Sequence, residues 1–130
     1  MSWSTNDRFA SKLVKLIKSM ADMQEGEKIA ALTNNPILQK LIEYNSTGFD
    51  LPEGMPEGIP IKYEDMTNIY AEARRLYIFT KNGVEGMKAS KKEQMFLDMV
   101  QGLCEDEGKI LIAVKDKKLF ELYPQLELQK

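Results

Sequence analysis

The sequence predicts an all-α fold: a single compact helical domain over residues 1–130, built of five to seven helices with a Pro/Gly-rich connector at about 46–62. Three observations predict it. Apolar residues recur at spacings of three and four in several separate stretches, the period of a helix face. Residues that start and stop helices bracket those stretches: Asn35-Pro36, Ser90 with Glu93, and Asn82-Gly83. Only one run, KILIAV at 109–114, has the β-branched content of a strand, and no second convincing strand is present to pair with it. With 130 residues, 43% hydrophobic and 29% charged, the chain has the size of one domain and can bury a core without disulfides or metals.

Residues 1–5 read as a loose end that Trp3 can anchor. Phe9, Leu13, Leu16, Ile17 and Met20 then form one apolar stripe, with Thr5 or Asn6 as cap and Asp7 in the first turn. A short second helix is expected over 24–32. Asn35 caps a third helix, with Pro36 at its first position and Ile37, Leu38, Leu41 and Ile42 on its stripe, ending near Asn45. The connector at 46–62 holds Pro52, Pro56 and Pro60 and two Pro-Glu-Gly triplets, with Phe49, Leu51, Met55 and Ile59 tacking it down. Residues 64–80 read as the longest clear helix, with Glu64 and Asp65 in its first turn and Tyr77 on its buried face. After a glycine-containing link, Ser90 and Glu93 form a capping box for a helix carrying Met95, Phe96, Met99, Val100 and Leu103. For 109–114, a helix is favoured over a strand. The acids Glu105, Asp106 and Glu107 precede it and Lys115, Lys117 and Lys118 follow it, the order a helix dipole prefers. Leu119 to Tyr123 make a short turn or helix closed by Pro124, and the last six residues read as a tail.

The composition excludes much chemistry. There is no histidine, which removes the commonest general base and a major metal ligand. With one cysteine, Cys104, there is no Cys/His zinc site, no Cys-His or Ser-His-Asp catalysis and no internal disulfide. No glycine-rich phosphate loop and no EF-hand spacing occurs, and the acids at 64–65 and 105–107 read as helix starts. The seven methionines after Met1 read mainly as core fillers, and Cys104 as a small buried hydrophobe. No catalytic residue, metal or cofactor is therefore assigned. No stretch approaches the roughly 20 apolar residues that span a bilayer. The opening MSWSTNDRF lacks the apolar run of a secretory signal, so a reducing cytoplasm is the expected setting.

Three features are candidates for recognition. Lys12, Lys15 and Lys18 lie off the first apolar stripe and make a basic face; the simpler reading is a solvated helix side. Arg74 and Arg75 precede Tyr77 and Phe79, a basic-aromatic pairing that suits phosphates or bases, although helical spacing already accounts for Tyr77. Glu53 and Glu57 sit in the Pro-Glu-Gly triplets, which read as an extended connector or as a partner-binding loop. The net charge of −2 argues against a dedicated nucleic-acid binder.

The blocks RLYIF at 75–79, KEQMF at 92–96 and KILIAVKD at 109–116, followed by Leu119 and Tyr123-Pro124, occur in that order. Together they resemble a family of small uncharacterised proteins from T-even-type tailed bacteriophages. The resemblance covers roughly residues 36–124 and includes the proline-rich connector at 51–54; the sequence after Tyr123-Pro124 departs from it. It implies expression in the cytoplasm of a bacterial host and supplies no catalytic residues. The expected function is a small non-enzymatic bacteriophage protein that binds a host or phage protein, of takeover or counter-defence type. The alternatives are a virion or assembly component and a nucleic-acid accessory factor.

Overall fold

The computed structural model describes residues 11–52, 61–81 and 83–127. Among them the chain is all-α, with seven α-helices, three 3-10 segments and no strand. The first helix, α1 (Lys12–Ser19), is capped by Ser11, whose Oγ accepts from Val14 N at 3.0 Å. Leu13, Val14 and Ile17 are its buried stripe. Trp3, Thr5, Asn6, Asp7 and Phe9 lie outside the described residues. A 3-10 turn, Met20–Asp22, buries Met20 and leads to α2 (Glu25–Thr33). Glu27 reaches back to the start of α2 and accepts from Gln24 N at 2.8 Å. No residue of α2 is buried, so it lies on the outside of the fold.

The Asn35-Pro36 start operates as expected: Asn35 Oδ1 accepts from Leu38 N at 3.0 Å and opens α3 (Pro36–Thr47), with Leu38 and Leu41 in the core. The helix runs two residues past the expected Asn45, to Thr47, and stops at Gly48, where φ is 72°. Asn45 is itself buried, and its Oδ1 accepts from Leu119 N at 3.0 Å. It thereby satisfies one of the amides at the start of α7 (Leu119–Leu122) that no helical carbonyl can reach.

The expected single helix over 64–80 is not formed. Residues 64–67 are irregular, and their amides are spent on the end of another helix, α5 (Ala89–Gly102). Glu64 N donates to Gln101 O at 2.7 Å, and Met66 N and Thr67 N donate to Gly102 O at 2.8 and 2.9 Å. Those carbonyls have no intrahelical partner, so the segment caps α5 instead of winding itself. Helix α4 (Ile69–Glu72) begins only where Asn68 Oδ1 accepts from Ala71 N at 3.0 Å, and it passes directly into a 3-10 helix over Ala73–Phe79.

The Ser90–Glu93 capping box is also absent. Helix α5 starts at Ala89, so Ser90 lies inside the first turn and makes no cap. Its register is set by the core: Phe96, Met99 and Val100 are buried, and Lys92 shares their side. Lys92 is buried, and its ammonium pairs with Oδ2 of the exposed Asp50 at 3.1 Å.

Residues 109–114 are helical, within α6 (Glu105–Lys115); Ile110, Leu111 and Val114 are fully buried. A 3-10 turn at Pro124–Leu126 follows α7, and here the tail reading fails. Leu126 is buried and Gln125 Nε2 donates to Ile17 O at 2.9 Å, which docks this turn on α1. Residues 128–130 lie outside the described part.

The core gathers around α6, which packs on both α3 and α5. Phe49, Phe79 and Phe96 meet in its interior, with Tyr44 at one side. Ring centroids are 5.7 Å apart for Phe49–Phe79 and 5.2 Å for Phe79–Phe96, the latter edge-to-face. Such pairs add about 0.5–1.5 kcal/mol each beyond their buried area. Phe49 and the half-buried Leu51 thus tack down the start of the connector as expected. Its other apolar residues, Met55 and Ile59, and the two Pro-Glu-Gly triplets lie outside the described residues. No helix among the described residues is long and apolar enough to cross a membrane.

Gly48 is the junction on which this arrangement turns. Its φ of 72° is in the left-handed region, and a Cβ there would stand 2.8 Å from the Lys115 carbonyl oxygen. Gly48→Ala is expected to cost about 1–3 kcal/mol through backbone strain and this clash. Chemical denaturation of the two proteins checks it; equal midpoints would mean the loop relaxes freely.

Candidate interaction surface

The residues singled out from the sequence separate in the fold. Lys12, Lys15 and Lys18 are all exposed along one side of α1. Arg74 and Arg75 are exposed on the 3-10 helix, but they differ in state. Arg75 Nη1 is paired with Glu72 Oε1 at 2.8 Å, and the other oxygen of Glu72 accepts from Thr67 Oγ1 at 2.8 Å. Arg75 is therefore engaged within its own segment and not by an acid from another helix. Arg74 forms no ion pair with any described residue. Glu53 and Glu57 lie outside the described residues.

The 3-10 winding decides which aromatic rings face out. In a 3-10 helix side chains at i and i+3 eclipse, so one file holds Ala73, Leu76 and Phe79. All three are buried. In an α-helix the same residues would drift by about 60° at each step, and Phe79 would leave the core. The neighbouring file holds Arg74 and Tyr77, which the winding stacks side by side. Tyr77 is 50% exposed and Tyr70, on α4, is 40% exposed. The expectation that Tyr77 is core is thus overturned: Phe79 takes that place. Tyr70 is held from the side, its hydroxyl oxygen accepting from Asn35 Nδ2 at 3.0 Å.

One buried carboxylate joins this segment to α1. Glu107, in the first turn of α6, is 2% exposed. Its Oε2 accepts from Ser11 Oγ at 2.5 Å and its Oε1 from Ile69 N at 3.0 Å. The starts of α1 and α4 converge on a single side chain, so Lys12 and Tyr70 each follow directly on a residue held by the same carboxylate. Burial raises the Glu107 carboxyl above its usual range; the bonds from Ser11 and Ile69 oppose the rise, and the charges of Asp65 and Asp106 add to it. Gly108 follows because Tyr63 lies against it: a Cβ there would meet the ring at 2.5 Å.

Little here resembles reaction chemistry. Cys104 is half-buried at the start of α6, and burial pushes its thiol up, away from the thiolate needed for attack. Burial likewise raises the Tyr63 and Tyr123 hydroxyls. Among the described residues no group of acids and cysteine is placed to hold a metal. Concavities occur at two places among the described residues that bear on this question. A groove of about 330 Å³ runs over Ile112, Ala113 and Leu122, rimmed by lysines and acids of both signs. A more polar cleft of about 500 Å³ lies at Thr47, Phe49, Asp50 and Lys81. The hydroxyl of Thr80 in that cleft is already bonded to Tyr77 O, and that of Thr47 to Tyr44 O and Gly48 O.

The sequence reading missed the outward tyrosines and the buried charges Glu107 and Lys115. The tyrosines carried one available signal, the strict period of three in Ala73, Leu76 and Phe79, which fits 3-10 winding better than α. Glu107 carried none, because three acids at a helix start look alike until the neighbouring helices are placed.

Residues 14–121 match the Family of unknown function (DUF6433), and the chain belongs to that family. No curated protein and no solved structure matches it.

The Glu107 geometry fixes two expectations. Glu107→Ala leaves the buried Ile69 N–H without its acceptor and is expected to cost about 1–3 kcal/mol. Glu107→Gln keeps an acceptor for Ile69 but removes the titration. Because folding raises the Glu107 carboxyl, the folded chain holds this proton to higher pH than the unfolded chain does. The stability the group contributes is full at pH below the ordinary carboxyl range and falls as pH rises through the raised value. The wild-type advantage over Glu107→Gln should shrink with rising pH across that window. Denaturation curves at a series of pH values measure it, and a difference that stays flat would contradict the assignment.

Proposed function

We propose that this chain is a small non-enzymatic bacteriophage protein that acts in the bacterial cytoplasm by binding a host or phage protein, as a takeover or counter-defence factor does. The observation that carries the binding reading is the exposed set Tyr70, Arg74 and Tyr77 on one segment that is otherwise well anchored. Tyrosine and arginine dominate the energetics of protein interfaces, because they offer large contact area and polar tips at low entropic cost. The anchoring matters as much: Phe79 in the core, Glu72 bonded twice and Ile69 held by Glu107 keep the surface in place before a partner arrives. The absence of histidine and the raised Cys104 thiol support a role without catalysis. The phage assignment is supported by the RLYIF, KEQMF and KILIAVKD blocks in their order.

Affinity capture from infected bacterial cells tests the reading, using tagged wild-type protein and the Tyr70→Ala/Tyr77→Ala variant. Interface tyrosines of this kind are worth about 2 kcal/mol or more each, so the variant should lose its partner by at least about tenfold. Both rings lie outside the core, so the variant should stay folded, losing only the stability of two half-covered rings and the Asn35–Tyr70 bond; a circular dichroism spectrum checks this. Equal capture by the two proteins would refute the assignment of this surface.

A further inference from the structure

We infer that the segment seated on the Tyr70–Arg74–Tyr77 surface is an acidic stretch of the partner protein, with a carboxylate received by Arg74. This rests on the binding role proposed above and specifies its chemistry. The charges along the segment support it. Glu72, the acid within this segment, is consumed: one oxygen is paired with Arg75 and the other accepts from Thr67. Arg75 is consumed by the same pair. Arg74 is left as an exposed guanidinium with no ion pair to any described residue. The 3-10 winding sets the Tyr77 ring on the same file as Arg74. The surface therefore offers one uncompensated positive charge beside exposed rings, each with a hydroxyl that can donate to an oxygen. That combination complements a side-chain carboxylate in an otherwise apolar or aromatic context, and guanidinium–carboxylate bonds are among the stronger contacts available to a protein surface.

A single-stranded nucleic acid also stacks on tyrosine and contacts arginine. The acidic peptide is the better fit because phosphate recognition needs a track of free cations, and here the adjacent Arg75 is already neutralised within the segment. The chain as a whole carries a net charge of −2, which opposes a polyanion along its length.

The test is a selection of random 12-residue peptides on the intact protein, followed by fluorescence anisotropy with the selected peptides and, in parallel, with labelled oligo-dT. Selected peptides should be enriched in Asp and Glu. Their affinity should drop at least about tenfold in Arg74→Glu and fall as salt rises from about 50 to about 300 mM, as an exposed charge contact does. Replacing the acidic positions of a selected peptide by Asn or Gln should mimic Arg74→Glu. Arg74 is exposed, and a circular dichroism spectrum confirms that the variant is folded. Peptides that bind through Tyr70 and Tyr77 without acidic enrichment would overturn this inference and leave the protein-binding role standing. Oligo-dT binding tighter than any peptide, lost in Arg74→Glu, would overturn both in favour of nucleic acid. Failure to select any peptide dependent on Tyr70, Arg74 or Tyr77 would overturn the acidic-segment assignment, while capture of a folded partner from cells through the same tyrosines would still uphold the broader role.

Discussion

The fold depends on one carboxylate more than on any other polar group. Glu107 sits at the start of the central helix α6 and takes hydrogen bonds from Ser11 and from the Ile69 amide. The three elements it ties are far apart in sequence, and each begins at that point. A helix start carries amides with no carbonyl to receive them, so a buried start needs an acceptor supplied from elsewhere. Glu107 supplies one to α4 directly. To α1 it acts through Ser11, whose hydroxyl donates to Glu107 and accepts from Val14 N. Its two oxygens are close together, so satisfying both donors fixes the approach of α1 and α4 as well as their partners. Burial opposes the charge while the hydrogen bonds favour it, and in this balance burial prevails.

The other buried polar residues follow the same logic at other junctions. Asn45 receives the Leu119 amide and holds α7 against α3. Lys115, 3% exposed, donates to the Pro52 carbonyl at 2.8 Å and pairs with Asp116, which fastens the start of the connector to the end of α6. In each case a long-range polar contact serves a backbone group that the local winding leaves unmatched. None of the buried side-chain polar atoms among the described residues lacks a partner. The aromatic cluster of Phe49, Phe79 and Phe96 supplies the apolar counterpart, bringing together the connector, the 3-10 segment and α5.

The all-α class and most of the apolar stripes were legible in the sequence because they depend on local periodicity. Ile110, Leu111 and Val114 read correctly as a buried helix because no strand was available to pair with KILIAV and the flanking charges suited a helix dipole. Asn35-Pro36 read correctly because its cap is made within four residues. The Ser90–Glu93 box failed although its spacing was right, because the packing of Phe96 and Lys92 placed the helix start two residues earlier, with Lys88 at the cap position. The 64–80 segment failed for a related reason: the end of α5 drew the amides of 64–67 away from helical bonds. At the candidate surface, Arg74 and Arg75 were visible as a pair, but only the winding separates the free one from the engaged one. Tyr77 was placed inside by α-helical spacing and is placed outside by a period of three.

Helix α2 stands apart from this network. It buries none of its residues, although Ala31 and Leu32 rest partly on the core, and it is closed at its start locally, by Glu27 accepting from Gln24 N. Opening such a helix exposes little apolar surface that was hidden and breaks few long-range bonds. Its amides should therefore exchange with solvent through a small local fluctuation, while those of α6 wait for the whole domain to open. The molecule is thus layered: an interior centred on α6, and a peripheral helix that leans on α3 and meets the core only through half-buried Ala31 and Leu32.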